Sequence, residues 1–147
     1  MSDRLAIIAD DIKVDEAVAF VSDECAGGIC VFLGTTRAET GPSGNRLIAL
    51  DYEAYREMAD RQLHELASRA RARWPVITLA IIHRIGRVRL GEPSVLIAVG
   101  TPHRGEAFEC CRWLIDTLKA ELAVWKKEVW ETGTPTWARP NQEWQGG

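Results

Sequence analysis

Two apolar runs joined by a short link constrain the fold of this chain more than any other feature. VITLAIIHRIG begins at Val76 and SVLIAVGT begins at Ser94, and both have the length and β-branched content of strands. The link RVRLGEP contains Gly91 and Pro93, which are typical of a hairpin-like connection. Consecutive strands joined in this way favour antiparallel pairing. These two segments are therefore expected to be neighbouring strands of one antiparallel sheet.

The other segments alternate between strand-like and helix-like patterns. Strands are predicted in RLAIIAD, GGICVFLG and RLIALDYEAY; helices are predicted in VDEAVAFVSDE, from about Arg56 to Trp74, and in HRGEAFECCRWLIDTLKAEL. The strand segments are short apolar or alternating runs, whereas the helix segments have apolar residues at three- and four-residue spacing. We therefore expect an α+β fold, with a mainly antiparallel sheet and helices packed on one face.

Two of these segments also predict which side chains are buried. In the second helix the apolar positions share one broad face, which is expected to pack on the sheet. In RLIALDYEAY, strict alternation places every second residue on the same side of the strand. The predicted helix face is Met58, Leu63, Leu66 and Ala70; the two strand sides are Leu47, Ala49 and Asp51 against Ile48, Leu50 and Tyr52.

The length and charge of the chain limit its organisation and its partners. Its 147 residues suit one domain. We predict that domain over residues 1–137 and an irregular tail over 138–147, where periodicity is lost and Pro and Gly recur. A net charge of −3 gives no bulk attraction to nucleic acid or membrane. The apolar runs are too short to span a bilayer and no signal-peptide pattern is present, so a cytoplasmic location is expected.

The cysteines and histidines do not form a metal-binding pattern. No C-x-x-C pair occurs, and no histidine flanks a cysteine at zinc-site spacing, so neither a metal nor a cofactor is expected. The cysteines are interpreted as small buried apolar residues, with sulfur carriage by Cys110 or Cys111 as the minor alternative. His83 and Arg84 lie in an apolar strand and are interpreted as structural.

Two turns carry residues suited to anions. TTRAETGPSGNR has the composition of a mobile loop, and Thr35, Thr36 and Arg37 lie at its start, directly after a strand. GTPHRGEAF places His103 and Arg104 where a helix begins, and the unpaired amides and dipole of a helix start favour a phosphate. A simple capping turn with exposed polar residues explains the second pattern equally well.

Three lysines lie among leucines and tryptophans in LKAELAVWKKEVW. Lys119 and Lys126 are seven positions apart, and in a continuous helix they would project from the same side and could share one ligand. If the helix instead ends near Leu122, the segment is extended, and Lys126 and Lys127 point to opposite sides of a strand. Ammonium groups next to apolar residues require water, an acidic partner or an anionic ligand.

Taken together, the motifs FLGTTR, YEAYREMA, RWP, IIHRIGRVRLGE, HRGEAFECCRWLIDTLK and WKKE resemble the family of large, catalytic subunits of molybdopterin synthase. The resemblance runs from about Gly28 to Trp137. It implies an α/β hammerhead type of fold and a homodimer that forms a heterotetramer with a small ubiquitin-like sulfur-carrier subunit. The small subunit of that family ends in a thiocarboxylated Gly-Gly. The implied reaction is a sulfur transfer to cyclic pyranopterin monophosphate, which forms the molybdopterin dithiolene.

The resemblance also assigns roles to residues of this chain. By motif, Lys119 and Lys126 correspond to the catalytic lysines of the family. The corresponding substrate-binding positions are Thr35, Thr36, Arg37, His103, Arg104, Lys127 and Glu128. The family further implies that His103 and Arg104 act across the dimer.

One departure from the family leaves a structural alternative open. The family usually has proline where this chain has Ala123, so the end of the helix and the direction of Lys126 are less firmly set.

Two other functions fit the same cations: a scaffold that binds a Gly-Gly tail without turnover, and a phosphoryl-transfer or cyclic-phosphate hydrolase. The lack of a metal-ligand cluster in the sequence weighs against the hydrolase.

Overall fold

The computed structural model describes residues 2–138, which contain three helices and eight strands. In chain order the elements are β1 (Ser2–Ile8), α1 (Val14–Val21), β2 (Gly28–Thr35), β3 (Leu47–Ala54), α2 (Arg56–Arg73), β4 (Thr78–Arg84), β5 (Gly86–Arg89), β6 (Pro93–Thr101), α3 (Arg104–Glu121), β7 (Val124–Trp130) and β8 (Thr136–Trp137). The predicted helices and main strands are all present. Of the predicted tail, residues 139–147 lie outside the described residues.

The first sheet has the strand order β1-β4-β6-β2. β4 and β6 pair antiparallel, as the short link predicts, and β2 pairs antiparallel with β6. β1 instead runs parallel to β4. Helices α2 and α3 cover one face of this sheet and form the main core, in which Leu63, Ile81, Ile97 and Leu114 are fully buried. This arrangement confirms the predicted α+β class.

Helix α1 lies on the other face of the first sheet. Its residues Ala17 and Val21 form a second, smaller core with Ala80, Leu96 and Ala98. The expectation that the helices pack on one face therefore holds for α2 and α3 only. The reason is visible in the strands: β4 and β6 are apolar on both faces and thus require cover on both sides.

A second sheet, with the order β5-β3-β7-β8, accounts for the link between β4 and β6. The link is not a simple hairpin, because four of its residues form β5 and pair with β3. The two sheets meet where Tyr52 of β3 donates a hydrogen bond to Ser94 of β6, at 3.3 Å between oxygens. Ser94 in turn donates to the carbonyl of Gly34 at the end of β2.

A register shift in β3 overturns the strict alternation predicted for that strand. The shift lies between Leu47 and Ala49 in the pairing with β7. As a result Leu47, Leu50 and Tyr52 all belong to the core of the second sheet, whereas Ile48 is exposed. An extra residue in one strand moves every following side chain to the other face, which alternation alone does not reveal.

The remaining expectations about buried residues have mixed outcomes. Leu63, Leu66 and Ala70 face the core as predicted, but Met58 is exposed and Ala59 is buried in its place. His83 is fully buried, contacts the Tyr52 ring edge-on and has a pKa lowered to about 4 by burial, which suits a neutral structural histidine. Within residues 2–138, no helix is long and apolar enough to cross a membrane.

Candidate active site

The junction between α3 and β7 fixes the directions of the three lysines. Helix α3 ends at Glu121, and Leu122 already has extended geometry, with φ −65° and ψ 134°. The chain then continues as β7, so the extended alternative holds. Because successive side chains of a strand point to opposite faces, Lys126 and Lys127 diverge. Lys126 turns inward and is only 9% exposed.

Lys127 lies on the outer face of the second sheet. Its ammonium nitrogen is 3.6 Å from a carboxylate oxygen of Glu53 and 4.4 Å from the ring centre of Trp137. Its positive charge also helps to lower the pKa of Asp51, after the larger effect of the hydrogen bond from Arg87. The structure therefore does not bring Lys127 into the cluster that contains Lys126.

Lys126 belongs to a cluster of four charged groups from three parts of the chain, in which Lys126 is buried and the other three groups are half-buried. Burial lowers its pKa to about 8; Glu128 and Glu39 oppose this shift, and Lys119 adds to it. Glu128 lies two residues along β7 and thus on the same face as Lys126. Burial, and next Glu39, raise the pKa of Glu128, whereas Lys126 lowers it. Two lysines and two glutamates therefore influence one another's charge state around the buried Lys126.

Glu39 was missed by the sequence analysis. Its backbone carbonyl accepts a hydrogen bond from the amide of Leu47 at 2.8 Å, and Leu47 pairs with Trp130 at the end of β7. One of its carboxylate oxygens is buried, with no hydrogen-bond partner within residues 2–138. A glutamate in a Gly- and Pro-rich loop gives no sequence signal of this kind, because only the path of the loop brings it to Lys126.

The predicted substrate-binding loop begins at the same end of the molecule as the cluster around Lys126. Thr36 is 2% exposed, and its backbone is tied to the β5–β6 turn: its amide donates to Glu92, and its carbonyl accepts from Gly91. Thr35 is half-buried, and Arg37 is exposed. Thr36 thus anchors the loop, and Arg37 is the member of this group with its side chain in solvent.

The rest of this loop is held in place, contrary to the expectation of mobility. Arg46 makes a bidentate ion pair with Glu131, in which two guanidinium nitrogens lie 3.0 and 3.1 Å from the two carboxylate oxygens. The Asn45 side chain both donates to and accepts from the backbone of Thr132. Gly41 accepts from Gly44 and donates to Asn45 within a tight turn. These bonds fasten the loop to the segment that follows β7, which keeps Glu39 within electrostatic range of Lys126.

His103 and Arg104 line an open depression of about 480 Å³ where α3 begins. The depression is also lined by Gly27, Pro102 and Gly105, and the backbone amides of the first helical turn lie there. Gly28 is required nearby, because a Cβ at this position would lie 2.7 Å from the Cα of Arg104. The predicted anion-binding features of this turn are therefore exposed and brought together.

Within one protomer, however, this depression is far from the lysines. His103 precedes α3 and Lys119 lies in its last turn, so their separation of 16 positions corresponds to about 24 Å of helix. The pairing of β2 with β6 agrees, because Gly28 lies opposite Thr101 at one end and Thr35 opposite Pro93 at the other. One phosphate cannot contact both groups in a single protomer.

Cys110 and Cys111, the pair considered for sulfur carriage, do not offer an alternative reactive centre. Both are buried as expected, whereas Cys25 is exposed and Cys30 is half-buried, contrary to the expectation for all four cysteines. Burial raises the pKa of Cys110 to about 12 and raises that of Cys111 further. A thiol that stays protonated is a poor nucleophile and a poor sulfur carrier. Among residues 2–138, no group of three or more His, Cys, Asp or Glu side chains could hold a metal ion.

The fold and the site together define a class: an α+β protein in which a buried lysine, Lys126, interacts electrostatically with Lys119, Glu39 and Glu128. Comparison with known proteins specifies the class further. The MoaE protein family model matches residues 7–121. The chain therefore belongs to the MoaE protein family.

Individual relatives agree with this assignment. The molybdopterin synthase catalytic subunit of Nostoc sp. is 41% identical over 138 residues, which cover 93% of this chain and 82% of that one. The crystal structure of molybdopterin synthase from Staphylococcus aureus superimposes with a TM-score of 0.84 at 34% identity, covering 90% of this chain and 95% of that one. A complex of subunits 1 and 2 of molybdopterin-converting factor from Helicobacter pylori has a TM-score of 0.74 at 22% identity, covering 93% and 91%, and shares the fold.

The position of Glu39 predicts a change in the titration of Lys126. Replacing Glu39 with Gln removes a negative charge that favours the ammonium form, so the pKa of Lys126 should fall below about 8, by roughly half a unit or more. NMR titration of labelled lysine side chains measures this shift directly. Glu53→Gln is the matched control, because Glu53 contacts Lys127 instead. An unchanged Lys126 titration in Glu39→Gln would contradict the assigned contact.

Proposed function

We propose that this chain is the catalytic subunit of a molybdopterin synthase, acting in the cytoplasm, and that residues 1–137 form its single catalytic domain. It transfers sulfur from the C-terminal thiocarboxylate of a small ubiquitin-like subunit to cyclic pyranopterin monophosphate. The observation that carries the proposal is the inward-facing, desolvated Lys126 in a shared cluster with Lys119. Membership of the MoaE family supports the same reaction.

The charges of the two reactants explain why lysines are needed. A pterin phosphate and a thiocarboxylate are both anionic, and they can meet in a partly dry pocket only where fixed cations offset their repulsion. In the proposal Lys126 and Arg37 hold the substrate, and Glu128 sets the charge state of Lys126. Lys119 activates the thiocarboxylate carbonyl, either by donating a proton to it or as a nucleophile that forms a transient adduct.

The sulfur balance of the step is simple. The sulfur leaves the terminal carbonyl carbon of the small subunit and forms a bond to a side-chain carbon of the pterin, where a C–O bond breaks. Over the two transfers one displaced oxygen stays on the phosphate as its ring opens, and the other leaves as water. The carbonyl carbon takes up an oxygen from water, so the small subunit is released with an ordinary carboxylate. Two such transfers give the dithiolene. The chain itself supplies cations and proton transfer and undergoes no net change.

A homodimer formed through β2 would complete the site. β2 is an edge strand of its sheet among residues 2–138, and it exposes the apolar side chains of Ile29, Val31 and Leu33. Its eight residues span about 23 Å, close to the separation of the two anion sites. If two copies pair these strands antiparallel about a two-fold axis, each Gly28 end lies next to a Thr35 end. The partner's His103 and Arg104 are thereby brought to the lysines.

Reconstitution tests the proposed function. The purified chain is mixed with a thiocarboxylated small subunit and cyclic pyranopterin monophosphate, and the dithiolene product is measured. Product formation at a rate that depends on both reactants is expected. Binding of the small subunit without product would instead indicate a non-catalytic scaffold. Turnover that depends on an added metal ion would favour a phosphoryl-transfer enzyme.

The divergence of Lys126 and Lys127 predicts unequal effects in that assay. Lys126→Ala removes the inward cation and should lower the rate at least about tenfold, because desolvated charge next to a reacting anion is hard to replace. Lys127→Ala breaks only a half-exposed ion pair and should stay within about threefold of the unmodified rate. Initial rates with both reactants saturating make the comparison. Equal losses in both variants would show that the inward assignment of Lys126 is wrong.

A further inference from the structure

The side chain of Gln62, in helix α2, holds the junction between α3 and β7. Its amide nitrogen donates a hydrogen bond to the carbonyl of Glu121, and its amide oxygen accepts one from the backbone amide of Ala123, both at 2.8 Å. Glu121 is the last residue of α3, and Ala123 is the residue before β7. One side chain from a distant helix therefore fastens both sides of the turn.

The second of these bonds lies where the helix ends. If α3 continued, the amide of Ala123 would donate to the carbonyl of Lys119, four residues earlier. Leu122 makes the last bond of that kind, to Leu118, and the Ala123 amide is turned to Gln62 instead. Alanine is the best helix former and offers no local reason to stop. The group that takes the Ala123 amide in place of the Lys119 carbonyl therefore comes from α2.

The position of this turn decides the geometry of the lysine cluster. Lys119 is in the last turn of α3, and Lys126 is the third residue of β7. A longer helix would rotate and shift Lys126 and break the pairing of Lys126 with Tyr52 on β3. We propose that Gln62 is a positioning residue of the active site: by ending α3 at Glu121 it fixes the arrangement of Lys119 relative to Lys126.

A proline at position 123 would also end the helix, but without a hydrogen bond from Gln62. Proline has no amide hydrogen to give to Lys119, and it forces the preceding residue into an extended conformation. Leu122 already has that conformation, and the carbonyl of residue 123, which accepts from Tyr55, is kept in proline. Gln62 and a proline at 123 are therefore alternative ways to end the helix, which provides a rescue experiment.

The inference rests on the proposed function, and its test includes a measurement that needs no turnover. Gln62→Met keeps the size of the side chain but removes both hydrogen bonds. We expect the rate of dithiolene formation to fall at least about tenfold, because small displacements of catalytic groups are costly. We also expect the pKa of Lys126 to rise from about 8 towards the ordinary lysine value of 10.5, as the side chain becomes solvated. The chain has four lysines, so NMR titration of labelled lysine side chains resolves Lys126.

The double variant Gln62→Met with Ala123→Pro should recover both the rate and the Lys126 titration, and Ala123→Pro alone should resemble the unmodified protein. Arg69→Met is the matched control. Arg69 lies on the same helix and contacts the Glu121 carboxylate at 3.0 Å, but it does not hold the Ala123 amide. Its loss should leave both readouts unchanged.

Three outcomes would overturn the proposal. In the first, Gln62→Met keeps the normal Lys126 titration and the normal rate. In the second, Arg69→Met has the same effect as Gln62→Met, which would indicate a general loss of packing between α2 and α3. In the third, Gln62→Met unfolds and Ala123→Pro does not restore it. If none of the proteins turns over, the Lys126 titrations still decide the positioning role, and the proposed function fails separately.

Discussion

Lys119→Ala should leave a folded protein that forms almost no product, with the rate of dithiolene formation lowered at least about a hundredfold. Lys119 lies in the last turn of α3 and is half-buried, so removal of its side chain leaves the fully buried residues of the core in place. Its loss removes the cation that is proposed to activate the thiocarboxylate carbonyl. Single-turnover measurements with preformed complex separate this chemical defect from weaker binding of the small subunit.

Two controls make the Lys119 result specific. Lys13→Ala changes a lysine that is exposed just before α1, and it should have no effect on the rate. Lys119→Arg keeps the positive charge but cannot act as an amine nucleophile or a ready proton donor. Substantial activity in Lys119→Arg would indicate a purely electrostatic role. A near-normal rate in Lys119→Ala would show that the catalytic assignment is wrong.

Mixing two inactive variants should restore activity if His103 and Arg104 act across a dimer. Lys119→Ala and Arg104→Ala proteins are each expected to be nearly inactive, because each lacks one part of every site. After random exchange of subunits, half of the dimers are mixed, and each mixed dimer contains one site with both residues intact. The recovered rate should therefore be about one quarter of the unmodified rate.

The size of that recovery tests the geometry directly. His103 and Lys119 are separated by about 24 Å of helix, so they cannot contact one ligand within a single protomer. If both contact the substrate, they must come from different protomers, and mixing the two variants should restore activity. The control is a mixture of the Lys119→Ala and Lys126→Ala proteins. Because Lys119 and Lys126 of each site come from the same protomer, every site of a mixed dimer lacks one of the two lysines. No recovery is expected. Recovery in this control, or none with Arg104→Ala, would contradict the cross-dimer arrangement.

How much of the site was predictable differs from one group to the next. The types of the candidate site residues could be identified, because lysines among tryptophans and an arginine after a strand are unusual in local sequence. Glu39 could not be identified, since its role depends on a loop held to the segment after β7 by Asn45 and Arg46. The register of β3 was also hidden, because alternation cannot reveal an inserted residue.

The sequence by itself determined the α+β class and the positions of the helices and main strands, because apolar periodicity is a local property that records which face of each element is buried. It also identified Lys119 and Lys126 as candidates for one shared anion site. The tertiary structure alone decided which lysine points inward. The direction of each lysine depends on where α3 ends. Ala123 does not by itself end a helix, because alanine is a strong helix former. In the proposal the helix ends because the Ala123 amide donates its hydrogen bond to Gln62, 61 residues away along the chain.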